Sequence, residues 1–71
     1  MNKQCARVLH HMQNVGPITS RTARDLYGIE RLGARIWDLR QAGIEIKDQF
    51  VEGVNKYGDK THFKEYWTPR A

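Results

Sequence analysis

The chain lacks most of what large, secreted or membrane proteins depend on. It has a single cysteine, Cys5, so no internal disulfide can form, which fits a reducing cytoplasm. Its apolar runs are only two or three residues long, which excludes a transmembrane span, and no membrane partner is expected. Met1 to Gln4 lack the apolar stretch of a signal peptide. There is no low-complexity tract and no internal repeat. The Met start and short polar tail are expected to mark a complete small protein. At 71 residues there is length for one domain, expected to span 1–71. A domain of this size buries about 60% of the surface its unfolded chain exposes. A core that thin leaves little room for a deep cleft, which argues against an enzyme.

Acidic side chains are in the minority. Eight Asp and Glu face twelve Lys and Arg, for a net charge of +4 and a pI near 9.6. A small basic domain favours a polyanion through long-range attraction to phosphate. The excess is uneven. Residues 1–43 hold Lys3, Arg7, Arg21, Arg24, Arg31, Arg35 and Arg40 against Asp25, Glu30 and Asp38. Residues 44–61 are slightly acidic, so the positive charge belongs to the first part of the chain.

That first part has helical periodicity. Cys5, Val8, Leu9, Met12 and Val15 form one apolar stripe, with Lys3, Arg7, His10, His11 and Asn14 facing away, over about residues 3–15. Gly16 and Pro17 stop this helix. Thr19 is suited to cap a second helix over about 20–27, with Ile18 and Ala23 placed as a hydrophobic staple. Ala23, Leu26 and Tyr27 make its expected buried stripe, and Gly28 ends it with a positive φ. Ile29 sits in a very tight turn before a third helix over about 30–42. Leu32, Ile36 and Leu39 line the inside of that helix. Glu30, Arg31, Ala34, Trp37, Asp38 and Gln41 lie opposite, at about 100° per residue. After Gly43 the period changes to two: Ile44, Ile46 and Phe50 alternate with Glu45, Lys47 and Gln49, and Asp48 breaks the pattern. Asn55 to Lys60 supply a turn around Gly58, and His62 to Thr68 read as the returning strand, ended by Pro69. The hairpin spans about 44–68. Its buried face is left open, since Tyr66 and Trp67 point opposite ways.

Two short helices joined through Gly28-Ile29 match a helix-turn-helix, whose second helix enters the major groove while the first crosses the backbone. Gly33 and Ala34 are small enough for deep entry. Arg31 and Gln41 carry the forked or amide groups that read base edges. Thr19, Ser20 and Arg21 stand at a helix start, where hydroxyls, a guanidinium and free amides meet phosphates. Lys56 and Lys60 flank the hairpin tip, as solvated turn lysines or as phosphate contacts.

The strings Ile18-Thr19-Ser20, Leu26-Tyr27-Gly28-Ile29, Arg31-Leu32-x-Ala34-Arg35-Ile36-x-Asp38-Leu39-Arg40, Gly43 and Asn55-Lys56-Tyr57-Gly58 carry a resemblance over about residues 5–68. They resemble a family of small helix-turn-helix proteins of phages and prophages. The resemblance implies a mainly α fold with a small antiparallel β-hairpin, a winged helix-turn-helix of three helices followed by a two-stranded wing. It further implies double-stranded DNA as partner and a role in phage or bacterial gene control, in the cytoplasm and at the nucleoid. The chain departs from the family where Thr22 replaces an acidic residue, Glu30 a Thr, and Trp37 a small residue.

Other readings of the same residues stand beside this one. Arg35 and Asp38 are three apart and can pair on the surface instead of touching DNA, worth roughly 0.3–0.5 kcal/mol. Trp37 can cover a base step or sugar, pack under the wing, or anchor a protein partner, a role tryptophan often fills. His10, His11, His62 and Cys5 invite a metal. However, adjacent His10 and His11 point about 100° apart and no paired cysteine spacing exists. No cofactor, metal or catalytic arrangement is therefore expected. The competing function is a winged-helix adaptor or inhibitor without strong DNA binding; RNA is a weaker third. The expected state is a monomer or weak homodimer.

Overall fold

The computed structural model describes residues 2–69; Met1, Arg70 and Ala71, the ends of the expected 1–71 domain, lie outside the described residues. Three helices come first: α1 over Lys3–Asn14, α2 over Ser20–Tyr27 and α3 over Leu32–Gln41. Strands β1 (Ile18–Thr19), β2 (Lys47–Val54) and β3 (Lys60–Trp67) form one antiparallel sheet in the order β1-β3-β2. The expected two-stranded wing is thus part of a three-stranded sheet. The two-residue strand before α2 pairs Ile18 with Tyr66 and Thr19 with Glu65. A segment of two residues has no period to detect, and the sequence marks Ile18-Thr19 only for helix capping.

Caps set the helix ends. Asn2 Oδ1 accepts from the Cys5 amide at 2.7 Å and opens α1. Thr19 Oγ1 accepts from the Thr22 amide at 3.1 Å and opens α2, as its hydroxyl chemistry requires. Gly28 closes α2 with φ 66°, a conformation costly for any residue with a Cβ. Its amide and that of Ile29 return to the Arg24 and Ala23 carbonyls at 3.0 and 3.1 Å. This reversal points Ile29 straight back into the core. α3 begins at Leu32, two residues later than expected. Arg31 occupies its N-cap position with φ −122° and ψ 68° and makes no side-chain cap, so Glu30 and Arg31 stay outside the helix.

One core unites the elements: Cys5, Val8 and Met12 from α1, Ile18, Ala23 from α2, Ile29, Leu32, Ile36 and Leu39 from α3, and Ile46. Leu9, Tyr27, Ile44 and Tyr66 pack at its edge, so β3 turns its Tyr66 face inward.

Four expected placements are corrected. His11 is buried at 3% exposure, not outward. The buried arc of α1 is rotated toward α2, where the Tyr27 hydroxyl and His11 Nδ1 share a 2.7 Å hydrogen bond, and the rings meet edge to face at 5.6 Å. Val15, expected on the stripe, is exposed because it caps α1 beyond the packed turns. Leu26 is 62% exposed; Ala23 and Tyr27 define the inner side of α2, and Leu26 lies off it. Phe50 is 71% exposed because β2 has left the body of the protein by that point.

The His11–Tyr27 bond yields a test. Tyr27→Phe removes the hydroxyl and leaves Nδ1 of a buried imidazole without its partner. It should destabilise the fold by about 1–3 kcal/mol in urea unfolding. An unchanged midpoint would show that water replaces the hydroxyl at no cost.

Candidate nucleic-acid interface

α3 is held at both flanks, and this decides which side it presents. On the α1 flank, Arg35 donates to Gln4 Oε1 at 3.0 Å, and its Nε lies 3.1 Å from Asp38 Oδ2. That Nε is buried and has no well-aimed hydrogen bond, so the contact with Asp38 is an ion pair of poor angle rather than a second strong bond. Cys5 Sγ lies 3.9 Å from Asp38 Oδ2 on the same seam. Asp38 was expected opposite the apolar stripe; it is half-buried on the flank instead, because its carboxylate meets Arg35 there. On the hairpin flank, Arg40 donates at 2.8 Å to the Ile46 carbonyl and at 2.8 Å to Asp48 Oδ2. Lys64 stands 3.9 Å from the other Asp48 oxygen. Asp48, the residue that breaks the strand alternation, is therefore the anchor between α3 and the wing.

The remaining side of α3 carries Ala34, Trp37 and Gln41, with Arg31 at its start. Arg31 and Gln41 are exposed and Ala34 is half-buried. Trp37 is 62% exposed, so the hairpin does not fold over it. Of the residues expected on the reading face, then, Arg31, Ala34, Trp37 and Gln41 share the open side, and Arg35 and Asp38 face α1.

At the start of α2, Ser20 and Arg21 are exposed, and Arg21 makes only a loose 3.7 Å pair with Asp25. Thr19 is half-buried and occupied: it accepts from the Thr22 amide and donates to Thr22 Oγ1 at 3.1 Å. A groove separates this helix start from the wing. Arg24 and Phe63, singled out by no sequence pattern, line it with Ser20 and Arg21. Arg24 falls one helical turn after Arg21, and that spacing was the available signal. The Phe63 ring crosses Gly53, where a Cβ would stand 3.1 Å from the ring. A side chain at Gly53 would crowd the Phe63 ring and the Thr61 hydroxyl, so the glycine gives the ring room to lie across the strand.

The wing tip is a built turn. The Asn55 side chain accepts from the Tyr57 and Asp59 amides at 2.9 and 3.1 Å, and the Asn55 amide donates to the Asp59 carbonyl at 3.0 Å. Lys56 and Lys60 are exposed on either side, with Lys56 Nζ 5.2 Å from the Tyr57 ring centroid. Among the described residues, no group of three or more His, Cys, Asp or Glu gathers as a metal site. No helix there is long and apolar enough to cross a membrane.

A helix pair joined by a left-handed glycine, followed by a hairpin anchored to its second helix, defines a winged helix-turn-helix, the class of small domain whose second helix can dock in the major groove of DNA. A family model described as a winged helix-turn-helix domain matches residues 3–67, and the chain belongs to that family. Searches among curated proteins and solved structures return no match.

The α3 anchor predicts a pH dependence. The hydrogen bond from Arg40 is the main cause that holds the Asp48 carboxyl below its ordinary 3.8; the nearby charges of Lys64 and Arg40 add to it, and partial loss of water opposes it. A carboxyl lowered in the folded state stabilises the fold above its unfolded value and loses that contribution as pH falls through its folded value. Asp48→Asn should therefore be less stable than the parent at neutral pH, by a modest amount for so exposed a pair. The gap should narrow below about pH 3.8. Urea unfolding of both proteins across this range checks it; a gap independent of pH would show that the carboxylate charge contributes nothing.

Proposed function

We propose that the protein is a sequence-selective double-stranded DNA-binding protein without enzymatic activity. It would act in phage or bacterial cells as a transcriptional regulator or an architectural factor in recombination. α3 enters the major groove with Arg31, Ala34, Trp37 and Gln41 toward the bases. Ser20 and Arg21 meet phosphates at the start of α2, where the occupied Thr19 hydroxyl serves as the cap that sets this helix end, and Lys56 and Lys60 meet them from the wing. Arg35 and Asp38 serve this interface indirectly, by fixing the rotation of α3 on α1. One observation carries the proposal: the side of α3 turned away from α1 and the sheet is open, and it begins with an exposed arginine.

A second reading is favoured by Trp37, with Glu30 and the slightly acidic balance of residues 44–61 beside it. An exposed tryptophan on a helix face also suits a protein partner, since tryptophan is enriched among residues that dominate interfaces. Fold membership does not decide between the two. Gel shifts on random-sequence duplex at rising salt separate them. A DNA binder releases counterions and loses affinity steeply as salt increases. Absent or salt-insensitive binding would favour the protein-partner role.

Two substitutions refine the test. Arg31→Ala should cost about 1–3 kcal/mol of binding and relax preference at one base position in sites selected from a random pool. Unchanged affinity and preference would remove α3 as the reading element. Replacing Lys56 and Lys60 together by Ala should weaken binding equally on all duplexes and lower the salt slope by up to about two. An unaltered slope would mean that the tip stays in solvent.

A further inference from the structure

The helix assigned to the bases has few cations where a base edge would sit. Arg35 is bound to Gln4 and Asp38 on one flank, and Arg40 to Asp48 and the Ile46 carbonyl on the other. Between these flanks the open face consists of Gly33, Ala34, Trp37 and Gln41. Trp37 and Gln41 are four apart, so they stand one above the other on that face. A Cβ added at Gly33 would meet nothing within 4 Å, so the surface is bare backbone one helical turn before Trp37. The face offers an amide, a methyl group and a broad apolar ring, and no guanidinium until Arg31 at the helix start.

Base edges in the major groove differ in what they match. Guanine presents two acceptors, which suit arginine or lysine. Adenine presents an acceptor beside a donor, which suits the amide of Asn or Gln, and thymine presents a methyl group, which suits apolar side chains. We infer that α3 selects A·T base pairs: Gln41 takes the N6 and N7 positions of adenine, and Trp37 with Ala34 packs on a thymine methyl. Arg31 is left for the edge of the site. The inference rests on the DNA-binding reading and names the sequence class that this reading leaves open. The pairing of the two flanking arginines matters as much as the residues of the open face. If either turned outward, a G·C pair would be the better match.

The test uses the whole chain and synthetic duplexes. Sites selected from a random pool should have an A·T-rich centre. Each central thymine is then replaced by deoxyuridine, which lacks only the 5-methyl group. At one or two positions the parent protein should bind about fourfold more weakly, the value of one buried methyl-sized group. Trp37→Ala should melt like the parent, because the indole is exposed, bind the thymine site more weakly, and distinguish thymine from uracil less than the parent does, since only Ala34 remains against the methyl group. With 7-deazaadenine at one position, which removes the N7 acceptor, the parent should lose affinity and Gln41→Ala should not. The deoxyuridine series on the parent protein needs no variant to fold. Salt-sensitive binding with a G·C centre, or without sensitivity to the methyl group, would overturn the inference and leave DNA binding in place. No salt-sensitive binding to any duplex would overturn the DNA-binding reading itself.

Discussion

Ile18, Ile29, Leu32, Ile36 and Leu39 are almost completely excluded from solvent, and every helix and the sheet meet on them. They are half of the core side chains, and truncating a single buried Leu or Ile to Ala costs about 2–5 kcal/mol. That is a large share of the stability of a small domain. The arrangement of the surface follows from this. With so few apolar side chains, α3 can bury only one narrow stripe, and its rotation must be fixed by polar contacts at the stripe's edges.

Those contacts have an electrostatic consequence. Arg35 with Asp38 and Gln4 secures α3 to α1, and Arg40 with Asp48 secures it to the hairpin. Each uses a cation that an unanchored helix would present to solvent. The helix is thus neutralised along its flanks, Arg21 and Arg24 on α2 are loosely paired with Asp25 and Glu30, and exposed positive charge stands elsewhere, at Arg31 and the wing lysines. Individually such half-exposed pairs contribute little stability. Their value is in orientation, since they leave a face whose chemistry is that of an amide and apolar groups.

Much of this was legible in the sequence because it depends on local chemistry. Gly28 before Ile29 demanded a left-handed turn, Thr19 a cap, Leu32-Ile36-Leu39 a buried stripe, and Asn55 to Lys60 a tight turn. All of these are found in the structure. The misplacements share a cause, which is that periodicity assigns a face without knowing where neighbours end. His11 is polar, which periodicity turns outward, but Tyr27 from another helix reaches it with a hydroxyl. Val15, Leu26 and Phe50 are apolar, which periodicity turns inward, but the core stops short of each. β1 was missed because two residues hold no pattern, and only pairing with β3 makes them a strand. Arg35 and Asp38 were recognised as a potential pair; their attachment to Gln4 and Cys5 is a long-range fact with no local signal.

Asp48 shows how a break in pattern can itself carry information. Alternation calls for an apolar or neutral residue there, and a carboxylate in a strand is usually a solvated accident. Here it sits where the last turn of α3 passes the base of the wing, within reach of Arg40 and Lys64. In the proposed complex, the wing lysines and the open face of α3 must engage one duplex at once. Their relative placement then depends on this junction and on the short Ala42–Ile46 connection. Loss of the Asp48 contact would loosen two contact surfaces against each other without touching either. Binding that needs both at once would weaken more than the folding stability does, because two surfaces engage strongly only when their geometry allows simultaneous contact.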